Sequence, residues 1–337
     1  MGLLGIDIGG ANLKAANGQG YAATREFPLW QRPTELAEEI TQLLAAAPTA
    51  ERILVTMTGE LAECYVTKAV GVCSILDAVE EASKGHEVLV YLCGGGFATP
   101  LAARAEPLLA AASNWHALGM FVSRFCENGA GLLIDVGSTT TDLIPIRDGS
   151  PRAVGRTDPE RLVTGELVYT GVERSPLCGI VRSLPWRGEV CAIAQELFAT
   201  SADAYLVLGE LEEDVKNTNT ADGRPRTKTH AHARLARSIC ADTTMFTWDD
   251  AQRAAAVVRE AQLEMLESAV RRVLRRSDDL PQTVVLTGHG EFVGRQLLDR
   301  LGYSGTVISL TDKLGTQVSR CATAHALAVL ARERVAE

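Results

Sequence analysis

No apolar run in this chain approaches the ~18 residues needed to cross a bilayer, so no membrane-spanning helix is expected. The N-terminus passes straight into the strand-like Gly2-Leu-Leu-Gly-Ile-Asp7, with no basic segment or signal-peptide core ahead of it. A cytoplasmic chain without a membrane partner is the expectation. Positive charge is also short: 33 Lys and Arg against 42 Asp and Glu give a net −9, which leaves no electrostatic footprint for nucleic acid. Cys-x-x-Cys pairs are missing. The eight cysteines are scattered, several in apolar segments such as Val88-Leu-Val-Tyr-Leu-Cys93, where a reduced thiol behaves as a small hydrophobe. His230, His232 and Cys240 match no zinc spacing. What is present is 337 residues, 46% apolar and 22% charged, a globular composition long enough for two domains.

Within it one design occurs twice, as Gly5-Ile-Asp-Ile-Gly-Gly-Ala-Asn-Leu-Lys14 and as Leu133-Ile-Asp-Val-Gly-Ser-Thr-Thr-Thr-Asp142. Each runs apolar strand, Asp-x-Gly, a small or hydroxyl-rich turn, then a second strand. Glycine lets backbone N–H groups approach a phosphate closely. Asn12, Lys14, Ser138, Thr139, Thr140 and Thr141 supply donors and charge around it. Asp7 and Asp135 are the natural ligands for a hydrated Mg²⁺, which prefers carboxylate oxygen. A single Asp-x-Gly turn usually means only a hairpin. Two at corresponding places in two halves point to a paired phosphate clamp that includes the amides of Gly9, Gly10, Gly137, Ser138 and Thr139.

Around these loops strands alternate with helices, which argues for a largely parallel, covered sheet. Strands are expected at 3–8, 14–16, 52–56, 88–92, 132–136, 141–146, 283–286 and 306–310. Helices are expected at 33–47, 70–83, 100–112, 115–125, 189–200, 249–276, 291–301 and 319–335. Glu127-Asn-Gly-Ala-Gly131 is the best boundary, dividing the chain into 1–130 and 131–337.

The two loops resemble the phosphate-1 and phosphate-2 loops of the actin, sugar-kinase and acetate-kinase superfamily. Thr283-Val-Val-Leu-Thr-Gly-His-Gly290 is similar to its nucleotide-side loop, with Gly288 and Gly290 as further phosphate contacts. Within the superfamily the chain looks most like the hydantoinase/oxoprolinase-like branch. The narrower likeness is to tetrahydromethanopterin-linked one-carbon transfer pathway proteins. It is carried by Val55-Thr-Met-Thr-Gly-Glu-Leu61, Tyr169-Thr-Gly-Val-Glu-Arg-Ser-Pro176, Thr220-Ala-Asp-Gly-Arg-Pro225 and Ala233-Arg-Leu-Ala-Arg237. The resemblance implies an α/β fold of two actin- or sugar-kinase-like domains, duplicated ribonuclease-H-like folds around a central cleft. It also implies that the last helix packs back on the first domain. Archaeal members include a methanofuran-pathway synthase joining a furanylmethyl diphosphate to the phenol of γ-glutamyltyramine.

Four functions stay open on the residues. The first is a Mg²⁺-dependent transferase with a diphosphate leaving group and a carboxylate, Glu60 or Glu166, taking the phenol proton. Arg174 would add bidentate phosphate recognition. The second is an ATP-dependent small-molecule kinase or ATP-coupled hydrolase, the third a nucleotide-switched regulator, and the fourth an idle scaffold. The partner in the first two is a phosphorylated small molecule, with a homo-oligomer also open.

Overall fold

The computed structural model describes residues 2–277 and 279–336. The first sheet contains β1 (Leu3–Ile8), β2 (Asn12–Ala16), β3 (Ala22–Glu26), β4 (Arg52–Met57), β5 (Glu87–Tyr91) and β6 (Phe97–Ala98), in the order β3-β2-β1-β4-β5-β6. β1, β4 and β5 run parallel, while β2, β3 and β6 are antiparallel to their neighbours. All six residues of β1 are buried, because it is a central strand covered on both faces.

The second sheet repeats the scheme. It is built from β7 (Ala130–Val136), β8 (Thr141–Arg147), β9 (Ser150–Pro151) and β10 (Leu167–Val168). After an outlying hairpin of β11 (Ser183–Trp186) and β12 (Glu189–Ala192) come β13 (Thr283–Thr287) and β14 (Thr306–Ser309). Its order is β10-β8-β7-β13-β14, with β9 paired to β8.

Two helices lie between the sheets. Ala322–Ala336 and Asn114–Val122 bury Leu327, Ala328 and Ala117 against Leu3, Leu54 and Tyr91 of the first sheet. From the same pair, Ala322, Ala326 and Leu118 meet Leu133, Ile144 and Val285 of the second. The alanine-rich terminal helix approaches β1 so closely that a Cβ on Gly5 would stand 2.0 Å from the Ala324 carbonyl oxygen. Only glycine fits there. The outer faces are covered by Leu36–Ala45 and Lys68–Ala82 on the first sheet and by Ser201–Leu208, Trp248–Leu274 and Glu291–Leu301 on the second.

Three expected helices come out differently. Residues 189–200 begin as a strand, because Arg187 and Gly188 both adopt positive φ (52° and 83°) and close a two-residue hairpin between Trp186 and Glu189. The helix follows only at Ser201, behind the Thr200 cap. Residues 100–112 break into Pro100–Ala105 and Pro107–Ala110, since Pro107 has no N–H to continue the ladder. The closing helix breaks at Cys321 into Thr316–Arg320 and Ala322–Ala336. Among the described residues no helix is long and apolar enough to cross a membrane.

Candidate active site

Both Asp-x-Gly turns fold alike. In the first, Ile8 pairs with Leu13 across the four residues Gly9–Asn12. In the second, Val136 pairs with Thr141 across Gly137–Thr140. The first residue of each turn donates its N–H to the carbonyl of the last, Gly9 to Asn12 at 3.0 Å and Gly137 to Thr140 at 2.8 Å. The amides of Gly10, Ala11, Ser138 and Thr139, and the hydroxyls of Ser138, Thr139 and Thr140, have no partner among the described residues. Free donors on a tight turn form an anion-binding concavity. Ala11 and Asn12 of the first loop share a polar pocket with Arg174, whose guanidinium lies 4.9 Å from the ring centre of Trp30.

Register places Asp7 opposite Lys14 and Asp135 opposite Asp142. The two hairpins therefore carry charges of opposite sign at equivalent positions. Asp7 acts on the ionisation of Asp135, and Lys14 and Asp142 act on both aspartates, so the charged ends of the two hairpins lie near one another. Burial pushes the Asp7 carboxyl up, with Lys14 opposing and Asp142 adding to the shift. Burial, then Asp142, push Asp135 up to about 7. Asp7 Oδ1 is buried without a hydrogen-bond partner. Two carboxylates short of positive charge and one orphaned oxygen suit a hard divalent cation that takes its other ligands from water and phosphate. Among the described residues no cluster of three or more His, Cys, Asp or Glu side chains could hold a metal alone.

The extra negative charge on β8 is met by a residue that the motifs do not contain. Arg161, almost fully buried, donates to Asp142 at 2.7 Å and to the Glu166 carbonyl at 3.0 Å, and lies 4.3 Å from the Trp115 ring centre. Its one local signal is the capped helix start Thr157-Asp-Pro-Glu160, which says nothing about where the arginine points.

Four sequence assignments change. Glu166 is no base: its Oε1 accepts from Val154 N–H at 2.7 Å, and its Oε2 accepts from Gly155 N–H at 2.8 Å and the Thr164 hydroxyl at 2.9 Å. A carboxylate so occupied fixes a loop. Thr141 is fully buried and its hydroxyl donates to Thr170 O at 2.8 Å, so it offers nothing to a phosphate. Gly290 gives its N–H to Val136 O at 2.8 Å. The glycines of the third loop are close-approach residues, since a Cβ on Gly288 would lie 2.3 Å from Val136 O and one on Gly290 2.4 Å from Val172.

The segment 171–174 locks the second turn from behind. Val172 N–H donates to Gly137 O, and Glu173 and Arg174 N–H donate to Ser138 O. Glu173 in turn holds the third loop through His289 at 2.9 Å. Burial would raise Glu173, but His289 and Arg226 outweigh it and hold the carboxyl at about 2.

Glu60 is placed differently from Glu166. It sits in the turn Gly59–Leu61 at the C-terminal end of β4, and Thr58 N–H donates to Ile8 O beside the first loop. The side chain is 1% exposed, and neither carboxylate oxygen has a hydrogen-bond partner. Burial, opposed by Lys68 at 3.6 Å, pushes it up to about 7. Lys68 reaches across the cleft to Asp158 at 2.5 Å.

Residues 53–334 match the hydantoinase/oxoprolinase family. The chain belongs to that family. It is 34% identical over 336 residues, 99% of this chain and 98% of the relative, to a Methanocaldococcus jannaschii protein named (4-{4-[2-(gamma-L-glutamylamino)ethyl]phenoxymethyl}furan-2-yl)methanamine synthase. A Methanococcus vannielii protein of the same name is 29% identical over 217 residues, 64% of this chain and 96% of that protein. Like these hydantoinase/oxoprolinase relatives, the chain is an enzyme. Its fold is the two-domain actin-like one. A PilM-PilN type IV pilus biogenesis complex superposes with TM-score 0.52 at 14% identity, covering 98% of each chain. Nucleotide-free acetone carboxylase superposes with TM-score 0.54 at 11% identity, covering 97% of this chain and 70% of that one.

Proposed function

We propose that this family member is a transferase of methanofuran-type cofactor synthesis. It would join a furanylmethyl diphosphate to a tyramine-type phenol and release diphosphate. The observation that carries the reading is the pair of alike four-residue turns with free amides, in a chain similar along its whole length to a named furanylmethanamine synthase. Asp7 and Asp135 would hold Mg²⁺, which supplies charge against the departing diphosphate. The free amides of Gly10, Ser138 and Thr139 meet phosphate oxygens, and Lys14, which is in no ion pair among the described residues, adds a cation. The phenol oxygen attacks the furanylmethyl carbon, the carbon–oxygen bond to diphosphate breaks with its electron pair leaving on diphosphate, and the phenol proton passes to Glu60. A carboxylate poised near 7 is well matched to that transfer at neutral pH.

The alternative, an ATP-dependent kinase or hydrolase, has the fold in its favour. Against it stand Phe292, packed edge-on against Tyr205 at 5.1 Å just past the third loop, and the pressing of Gly288 and Gly290 onto β7. Neither leaves an apolar slot beside the third loop for a base. Incubation with Mg²⁺, a furanylmethyl diphosphate and a tyramine derivative should release diphosphate and form the aryl ether, and calorimetry should register Mg²⁺·pyrophosphate but not Mg²⁺·ATP. Micromolar ATP binding with steady ADP release would reverse the assignment.

Glu60 gives a test in stability. An acid whose folded pKa lies above its unfolded value leaves the fold unpenalised below about 4.5 and costs it progressively up to about 7. Above that the full cost is present, on the order of 3 kcal/mol. Glu60→Gln should therefore unfold at higher denaturant than wild type at pH 8 and match it near pH 4.5, while its turnover falls by roughly 10²- to 10⁴-fold. A Glu60→Gln variant with wild-type turnover would remove the base from the scheme.

A further inference from the structure

A cavity of about 210 Å³ lies between the domains on the Lys68 side of the cleft. Leu108, Ala111 and Ala112 form its wall in the first domain and Pro159 its wall in the second, with Lys68 and Asp158 on its edge. Ala111 and Ala112 present small side chains to it, and the backbone takes positive φ at Ala112 (47°). Leu108 is 59% exposed, so the cavity opens to solvent at that rim. A cavity of about 150 Å³ lined by apolar groups is enough to take up benzene. This one has room for a single aromatic ring and carries one ammonium group at its edge.

Its place in the molecule is set by the elements that hold the two turns. Gly59 rests on the carbonyls of Ile8 and Gly9, where a Cβ would come within 3.2 and 3.3 Å, and the next residue is Glu60. On the opposite side, Asp158 opens the helix Asp158–Thr164 that carries Arg161 to Asp142. Lys68 Nζ stands between the two carboxylates, 3.6 Å from Glu60 and 2.5 Å from Asp158. Both Glu60 oxygens are buried without a hydrogen-bond donor.

We infer that this cavity is the site of the aryl acceptor, with the ring against Leu108, Ala111, Ala112 and Pro159 and the phenol oxygen on the Lys68 ammonium. The inference deepens the transferase reading and rests on it for the reaction, though not for binding. A phenol has a pKa of about 10 in water, and an adjacent ammonium favours its anion. The O–H bond breaks with its electron pair staying on oxygen, and the proton goes to the Glu60 carboxylate beside Lys68. The oxygen is then the nucleophile toward the furanylmethyl carbon. Lys68 is here a binding and positioning residue, and the small side chains at 111 and 112 set specificity for a flat ring.

The test uses 4-ethylphenol, which carries the ring and no amine, on the full-length protein. Wild type should bind it by calorimetry and show the phenolate band in an ultraviolet difference spectrum at pH 8. Lys68→Met should lose the band. Ala111→Phe, which fills the cavity, and Leu108→Gln, at an exposed rim position that spares the fold, should each weaken binding at least tenfold while leaving Mg²⁺·pyrophosphate affinity unchanged. No 4-ethylphenol binding in wild type, a band that survives Lys68→Met, or undiminished affinity in both Ala111→Phe and Leu108→Gln would overturn the inference. Intact 4-ethylphenol binding in a protein that makes no aryl ether would support the aryl site and count against the transferase reading alone.

Discussion

Asp7→Asn and Asp135→Asn should each lower turnover by roughly 10³-fold, equivalent to about 4 kcal/mol of transition-state stabilisation. The same substitutions should raise the melting temperature of the ligand-free protein. The two effects have one cause. Both carboxyls are pushed up by burial and by neighbouring acids, so ionising them costs the fold, and the amide removes that cost. Asp7 Oδ1 has no partner in the protein to lose. A group kept charged at the expense of stability is explained by something it binds. If activity and melting temperature fall together, the aspartates are structural. If either variant keeps wild-type turnover, or wild type is indifferent to excess chelator, the metal clamp is wrong.

Arg161→Met should lower stability by about 3–5 kcal/mol, because it strands Asp142 as an uncompensated buried charge. Lysine should rescue little of this. It offers no planar face to Trp115, whose ring centre lies 4.3 Å from the guanidinium carbon. Chemical denaturation of Arg161→Met beside Asp142→Asn and the double variant measures the coupling. Nearly additive losses would mean that the pair is incidental. A double variant more stable than Arg161→Met alone is expected, since removing the stranded charge relieves its desolvation.

Much of the site was legible in the sequence, because turns are local. The apolar strand, the glycines and the hydroxyl residues of 5–14 and 133–142 dictate their hairpins within ten residues of chain, and the turns form with the same length and the same closing hydrogen bond. What pairs with what across the cleft was not legible. Arg161 finds Asp142 from 19 residues away, and Lys68 finds Asp158 from 90. Neither partner follows from any periodicity. Glu60 and Glu166 look equivalent as letters, and only their surroundings separate them: one has two orphaned oxygens, the other three donors. The hairpin at 183–192 was missed for a different reason. Arg187-Gly188 is a weaker hairpin signal than Asn-Gly or Asp-Gly, and the following residues have ordinary helix-forming character.

The terminal helix has a consequence for synthesis. Leu3, Leu54 and Tyr91 are made early, yet two of the side chains that cover them, Leu327 and Ala328, are made more than two hundred residues later. During translation the first sheet must wait with that face covered only by the helix that carries Ala117 until those residues are added. The nascent chain therefore carries a long-lived apolar surface that sequence-local folding cannot hide. The order of synthesis also makes the docking of the helix Ala322–Ala336, which packs on both sheets, a late step in joining the two halves.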